Sequence, residues 1–598
     1  MNAITQYTLK NIDFRNVDEY TIEKSKDNKN IIRILKNDKY IYLGSKYSVD
    51  RDIKNFYKKL GEINEETIII IFGLGAGEHV LKILNDTKYN KILVVEPDVS
   101  VIKTFLKLNT SKDILENDRF ILSLYKKNQT KDIITSIITQ IDSNNVEVLE
   151  YSNYDRIYES EFKEFFKKCI EVIEKCLINM NTEMFFSKKM IQVYLDNIKN
   201  IIKSVPINYY KNICKSMPAI VVSAGPSLSK NIHKLKDVQH KFIIICGART
   251  LKPLLDVGVI PDFVCIIDPV DANLQFVQDS RDYSAKIVFC EVSNFRTVNA
   301  YKGNKIIFKE EFNFKKLSDS ILEYKLDSLW NGGSVAHTCT SFANYIGCNK
   351  IIFIGQDLAY TNNKYHDDKA DFGVKNNGKI EEENTIYVDD IYGNKVMTSK
   401  ILNFYKKNLE EYIDRVNDVE FINATEGGAN IKGTKIMNLQ EVINEHEDNI
   451  NKEILNTKID EENKKIFNKE KIISNLKSTI EHLNRIDDKS KKILNSIEQI
   501  DKKGIKINKK SIKILKDVKI NNKKIQKLEI LNSLINPIIN KIVSKSEYRE
   551  NSKDNDLQRI KKLIEQTKPI YEAFIQAVKD VNPMIDKLIN ELEGEKYE

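Results

Sequence analysis

A chain of 598 residues with 41% apolar side chains holds material for roughly three or four domains at ~150 residues each. Its 94 Lys and Arg against 86 Asp and Glu leave a net charge of +8, too small a surplus to mark a dedicated nucleic-acid binder. No run approaches the ~18 apolar residues of a membrane span, Met1 to Tyr7 is no basic-then-apolar leader, and the eight cysteines form no Cys-x-x-Cys pair, so the expectation is a cytoplasmic protein with buried thiols and neither disulfides nor a zinc site.

Residues 1–65 alternate polar and apolar side chains, as in Lys39-Tyr40-Ile41-Tyr42, and predict a small strand-rich segment. Residues 66–205 read as a Rossmann-like α/β domain with a helical connector over 155–205. Its first strand, Thr67 to Phe72, ends in Gly73-Leu74-Gly75-Ala76-Gly77, and its second ends in Glu96-Pro97-Asp98. Residues 206–434 form a second α/β domain, with strands expected at 219–222, 242–246, 263–267, 286–290, 305–308, 350–354 and 419–422. Residues 435–598 read as an all-helical domain, with Ile and Leu three and four apart, as at Ile473, Leu476, Ile480, Leu483 and Ile486.

The loop Gly73 to Gly77 with Glu96 beyond it matches a nucleoside-binding Rossmann unit, in which the acid would accept from ribose hydroxyls. It resembles the first motif of S-adenosylmethionine methyltransferases, but nothing downstream resembles their catalytic motif. The competing reading is a shell that binds nothing, its glycines serving only tight strand-to-helix packing.

The stretch Met217 to Leu228 carries the sharper signal. A buried strand, Ala219 to Val222, stops at Ser223-Ala224-Gly225-Pro226-Ser227, and Leu228 opens a helical pattern. A small-residue turn feeding a helix is where an α/β protein holds phosphate, through free N–H groups and the positive end of the helix dipole. Four more strand ends or loops belong with it: Gly247-Ala248-Arg249, Asp268-Pro269, Gly332-Gly333-Ser334 and Gly355-Gln356-Asp357. In an open parallel sheet these ends converge on one crevice.

In their order, Ser-Ala-Gly-Pro-Ser-Leu, Ile-Pro-Asp-Phe-Val with Asp268-Pro269, Gly-Gly-Ser-Val-Ala, Gly-Gln-Asp-Leu-Ala-Tyr and Asn423-Ala-Thr-Glu-Gly-Gly-Ala429 resemble the motility accessory factor (Maf) family of flagellin glycosyltransferases over about 205–435. The central region is also distantly similar to bacterial sialyltransferases that use CMP-sialic acid. The resemblance implies a sialyltransferase-like Rossmann-type domain that moves pseudaminic or legionaminic acid from its CMP-activated form to Ser or Thr of flagellin, without a cofactor or a metal. The absence of an Asp-x-Asp in this region agrees with the last point.

The resemblance assigns donor contacts to Ser223, Gly225, Pro226, Ser227, Gly247, Arg249, Asp268, Gly333, Ser334 and Gln356. Gly225 to Leu228 would take phosphate or ribose by backbone N–H groups, and Gly333 and Ser334 would face the sugar carboxylate. Sialyltransferases carry asparagine where Gly247 and Asp268 stand, so the cytidine contacts differ in detail. Tyr360 and Tyr365 fall where sialyltransferases place tyrosines on the departing phosphate. The sialyltransferase histidine has no counterpart in Tyr392 to Thr398. His337, His366 and Asp357 remain as candidate bases, against bland readings as a packed histidine, a solvated loop residue and a structural cap.

The C-terminal helices read as a scaffold, with recognition of flagellin or pairing into a homo-oligomer as alternatives. Two other functions compete for the whole chain. One is an ATP-dependent pyrophosphokinase of a pterin-modifying family that shares much of the central region. The other is a flagellin-binding chaperone without catalysis.

Overall fold

A computed structural model describes residues 1–594, apart from 37, 65–66, 128, 139–144, 278–283, 310–314, 371–384, 447 and 457–466; of 502–555 it describes only 534–535 and 538–539. The chain divides into two compact units, one built on Met1–Phe186 and the other on Ser187–Lys491, with the C-terminal segments shared between them.

The first unit opens with helix α1 (Ala3–Lys10), an antiparallel sheet of β1 (Thr21–Lys24), β2 (Asn30–Lys36) and β3 (Lys39–Leu43), and helix α2 (Val49–Leu60). Two helices accompany the three strands of the segment expected to be strand-rich. In α2, Val49, Ile53, Phe56 and Leu60 recur at helical spacing and are buried, and Ser48 caps the helix by accepting the Arg51 N–H. A parallel sheet follows, in the order β6 (Phe120–Leu124), β5 (Ile92–Glu96), β4 (Ile68–Phe72), β7 (Val146–Glu150), with helix α3 (Glu78–Asp86) after the glycine loop. Every residue of β4 and β5 is buried, as an unbroken apolar run in a parallel sheet requires. Helix α4 (Glu159–Ile202) then fills the span read as a connector.

In the second unit, the described residues form a parallel sheet in the order β18 (Lys435–Ile436), β17 (Glu420–Asn423), β14 (Lys350–Ile354), β9 (Pro218–Val222), β10 (Ile243–Gly247), β11 (Phe263–Ile266), β12 (Lys286–Cys290), β13 (Lys305–Phe308), β8 (Val205–Pro206). The long strands lie within a residue of the expected positions. A hairpin of β15 (Thr385–Asp389) and β16 (Lys395–Ser399) stands apart. Three helices bear on the site: α5 (Ala248–Asp256) after β10, α6 (Val335–Tyr345) before β14, and α7 (Lys400–Arg415) after the hairpin.

One local expectation fails. No α-helix begins at Leu228; the chain makes two short 3-10 turns, Leu228–Lys230 and Ile232–Leu235. Asn231 lies between them, fully buried, donating its side-chain amide to the Ala424 carbonyl. That tie to another strand end takes the place of a continued helix.

Toward the C-terminus come the long helices α8 (Lys469–Asp501) and α9 (Asp556–Gly594). Leu476, Leu483 and Ile486 of the expected apolar face are buried, and Lys477 pairs with Glu593 at 2.8 Å. The rest of the helical expectation over 502–555 lies outside the described residues, apart from 534–535 and 538–539.

Candidate active site

Strand order places the crevice. From β9 the sheet grows one way through β10 and β11 and the other way through β14, so the carboxyl ends of β9 and β14 flank a topological switch point. A pocket opens there. Of the sequence candidates, it is lined by Ser223, Gly225, Pro226, Gly247, Arg249, Ser334, Gln356, Asp357, Tyr365 and His366.

The floor is a knot between the two strand ends. The Gly225 N–H donates to the Gly355 carbonyl at 2.8 Å. A Cβ on Gly225 would overlap the Asp357 carboxylate and that same carbonyl, so only glycine lets the strands close here. Asp357 is 1% exposed, and it accepts the Ser227 N–H at 3.2 Å and the Ser227 hydroxyl at 2.6 Å. Burial raises its pKa above the usual carboxylate range, and the Ser227 bonds oppose that shift. The Ser223 hydroxyl donates to Gln356 Oε1.

This geometry corrects the role expected of the turn. The Gly225, Ser227 and Leu228 N–H groups already have partners within the protein, Pro226 has none to offer, and Ser227 is fully buried off the lining. The turn is a shaped wall, without the row of free N–H groups of a phosphate cradle.

Helix N-termini are supplied elsewhere. α5 begins at Gly247 and α6 at Ser334, and neither has a side-chain cap. Gly247, Arg249 and Thr250 of the first and Ser334, Val335 and Ala336 of the second lie on the pocket wall. Two helix N-termini facing one cavity make a strongly anion-seeking end. Arg249 adds a cation, held by its Nη1 donating to the Ala370 carbonyl at 3.1 Å and by stacking on Phe276 at 4.6 Å.

Phenols share the lining. Tyr365 lines the pocket, with its ring 5.8 Å from Tyr360 and 4.7 Å from His366. Tyr360 is buried off the lining. Its place is taken by Tyr405 of α7, whose phenol is pushed up to about 12 by burial and by the neighbouring Tyr365 and Asp268. Tyr405 and Tyr365 therefore stay protonated as hydrogen-bond donors.

Sequence reasoning missed Tyr405. It lies on an amphipathic helix between the 392–398 stretch and the motif at 423–429, inside neither, and its packing against the Gly333 loop brings it in. Asn408 on the same helix donates to the Gly332 carbonyl at 2.9 Å and fixes that packing.

Three other candidates lie off the lining. His337 is fully buried, 4.9 Å from the Trp330 ring, and burial lowers its pKa to about 4. Exposed Gly333 gives room to the Tyr405 ring. Exposed Asp268 stands within electrostatic reach of Arg249 and Tyr405.

Comparisons with known proteins fall on this same region and beyond it. A family model described as 6-hydroxymethylpterin diphosphokinase MptE-like matches residues 192–363. The 6-hydroxymethyl-7,8-dihydropterin pyrophosphokinase of Methanocaldococcus jannaschii is 24% identical over 181 residues, 29% of this chain and 72% of that protein. The structure of the Maf glycosyltransferase from Magnetospirillum magneticum AMB-1 matches with a TM-score of 0.59 at 14% identity, covering 97% of this chain and 94% of that one. The chain shares the Maf glycosyltransferase fold. The pterin-kinase match spans β9 to β14 and stops two residues before Tyr365, whereas the Maf match takes in nearly all of the chain.

Within this Maf fold, the first glycine loop is closed by the protein itself. Glu96 is fully buried and accepts the Leu74 N–H and the Tyr154 hydroxyl, each at 2.8 Å, and the Asp98 N–H at 3.0 Å. The Gly75 N–H donates to the Tyr154 oxygen at 2.9 Å. A Cβ on Gly73 would meet the Tyr154 ring at 2.5 Å, so the glycine makes room for a tyrosine of the same chain. Glu96 and the loop N–H groups that would meet a nucleoside are engaged internally, which favours the reading as a packing shell.

Proposed function

We propose that this protein is a glycosyltransferase that moves a nonulosonic acid, pseudaminic or legionaminic, from its CMP-activated donor to Ser or Thr hydroxyls of flagellin. The observation that carries the reading is one pocket lined by the α5 and α6 N-termini, Arg249 and the phenols of Tyr365 and Tyr405. A CMP-nonulosonate brings a phosphate and a carboxylate close together, and two helix ends plus a guanidinium suit two neighbouring anions. The Maf fold supports the same reading.

In this proposal the α5 end and Arg249 receive the phosphate and the α6 end at Ser334 receives the carboxylate. Ser223, Gly225, Pro226, Gly247 and Gln356 shape the cytidine side, and Asp268 reaches the ribose. The bond from the sugar's anomeric carbon to the phosphate oxygen breaks, and CMP leaves as an anion stabilised by hydrogen bonds from the phenols. The acceptor oxygen attacks the opposite face with inversion, and its proton passes to His366, an imidazole on the pocket lining whose ring packs 4.7 Å from Tyr365. Tyr360 backs Tyr365, and His337 backs the α6 loop. The chemistry needs no metal, because helix ends, Arg249 and phenols meet the developing charge. The four-domain division at 65, 205 and 434, a flagellin-recognising or dimerising role for the C-terminal helices and a cytoplasmic location belong to the same proposal.

Purified protein, unglycosylated flagellin and each CMP-nonulosonate, followed by intact-mass spectrometry with and without EDTA, test it. A mass gain of whole sugar residues that survives EDTA is expected. Flagellin binding without any gain would overturn it in favour of a chaperone. The match to pterin pyrophosphokinases over the central sheet supports a second reading, diphosphate transfer from ATP. ATP consumed with 6-hydroxymethyl-dihydropterin and Mg²⁺, with CMP-sugars untouched, would establish it.

A further inference from the structure

One buried carboxylate outside the pocket grips two of its walls. Asp367 is 2% exposed. Its Oδ2 accepts the Ser229 N–H at 2.9 Å and its Oδ1 the Lys369 N–H at 3.0 Å. Its own N–H donates to the Ala224 carbonyl at 3.0 Å. Ala224 and Ser229 bracket the turn after β9, so a single residue holds that turn on both flanks. Tyr365 and His366, immediately before Asp367, line the pocket. Just after it, Ala370 donates its N–H to the Asp367 carbonyl at 2.9 Å and accepts from Arg249.

We infer that Asp367 is a positioning residue, which fixes Tyr365 and His366 against the turn and against Arg249. The inference deepens the proposed function, since it rests on Tyr365 meeting the leaving phosphate. A carboxylate suits the position because it offers an acceptor oxygen to each of two N–H donors. An asparagine offers one acceptor and sets its NH₂ against the other donor. Reacting groups are sensitive to this kind of loosening, because a displacement of about 1 Å costs on the order of a hundredfold in rate.

The test uses the full chain carrying Asp367→Asn. Amide hydrogen exchange at 361–370 and 223–229 is expected to quicken by about tenfold or more, with exchange in β10 to β13 unchanged. The kcat for sugar transfer is expected to fall by about tenfold or more while the donor KM stays within about threefold, the signature of contacts made in the transition state. Combined with Tyr365→Phe, the loss is expected to fall short of the product of the two single losses, because part of the Asp367 effect runs through that phenol. Unchanged exchange in the two segments, or losses that multiply in the double variant, would overturn the inference. Quickened exchange in a chain whose wild type transfers no sugar would leave the clamp standing and remove the proposed function. Should Asp367→Asn not fold, Asp367→Ser, which keeps an acceptor oxygen in less volume, takes its place with the same readouts.

Discussion

At the scale of single residues, Gly225 and Tyr405 make opposite predictions. A methyl group at Gly225 collides with the Asp357 carboxylate and the Gly355 carbonyl, and the carbonyl belongs to rigid backbone. Gly225→Ala is expected to destabilise the second unit by about 1–3 kcal/mol, the usual cost of overpacking, and to abolish CMP binding. Thermal melting and titration calorimetry check the two effects. Tyr405→Phe keeps the ring against Gly333 and removes only the hydroxyl. Its melting temperature is expected to match the wild type while kcat for transfer drops by about a hundredfold, the low end for one lost oxyanion donor. An unchanged kcat would return the second phenol to Tyr360.

At the scale of elements, α6 is where stability and the proposed donor binding are expected to oppose each other. The side chain of its N-cap residue, Ser334, does not cap it, and Ser334, Val335 and Ala336 line the pocket. Ser334→Asp would supply a cap and a charge that complements the helix dipole. We expect a gain of about 0.5–1 kcal/mol in stability together with a rise in donor KM, because the new carboxylate occupies the anion's place. A denaturant titration beside donor kinetics separates the two.

The same scale shows what could be read in the sequence. Ile243 to Gly247 and Lys350 to Ile354 are apolar runs stopped by small or polar residues, and buried parallel strands need nothing more to be recognised. Leu228 misled because helical spacing after a turn is a local signal, and the tie from Asn231 to Ala424 comes from a strand end almost two hundred residues later. The hairpin of β15 and β16 is not legible because its strands are short and mostly half-buried or exposed, without the apolar run of a buried strand. Ser334 and Arg249 were legible as chemistry at strand and helix ends. Tyr405 and the Asp367 clamp were not, because each depends on segments that only the fold brings together.

At the scale of the molecule, the first unit carries its own pH dependence. Burial raises the Glu96 pKa from 4.5 to about 8, against the opposing bonds from Leu74, Tyr154 and Asp98. The folded state therefore holds a proton that the unfolded chain has released. Its stabilising contribution is complete below about 4.5 and is lost as pH rises through about 8. Melting of this unit is expected to fall between pH 5 and 9, and Glu96→Gln is expected to flatten that fall. A steeper fall in the variant would contradict the assignment.

The tyrosine beneath the Gly73 loop has a consequence in terms of mass action. A domain gains stability from a ligand only in proportion to how much better its folded state binds than its unfolded state. A shell whose loop N–H groups and acid already hold Tyr154 has no such linkage. Its melting temperature is therefore expected to be independent of nucleotide or S-adenosylmethionine concentration, while the proposed CMP-sugar donor is expected to raise that of the other unit as its concentration rises.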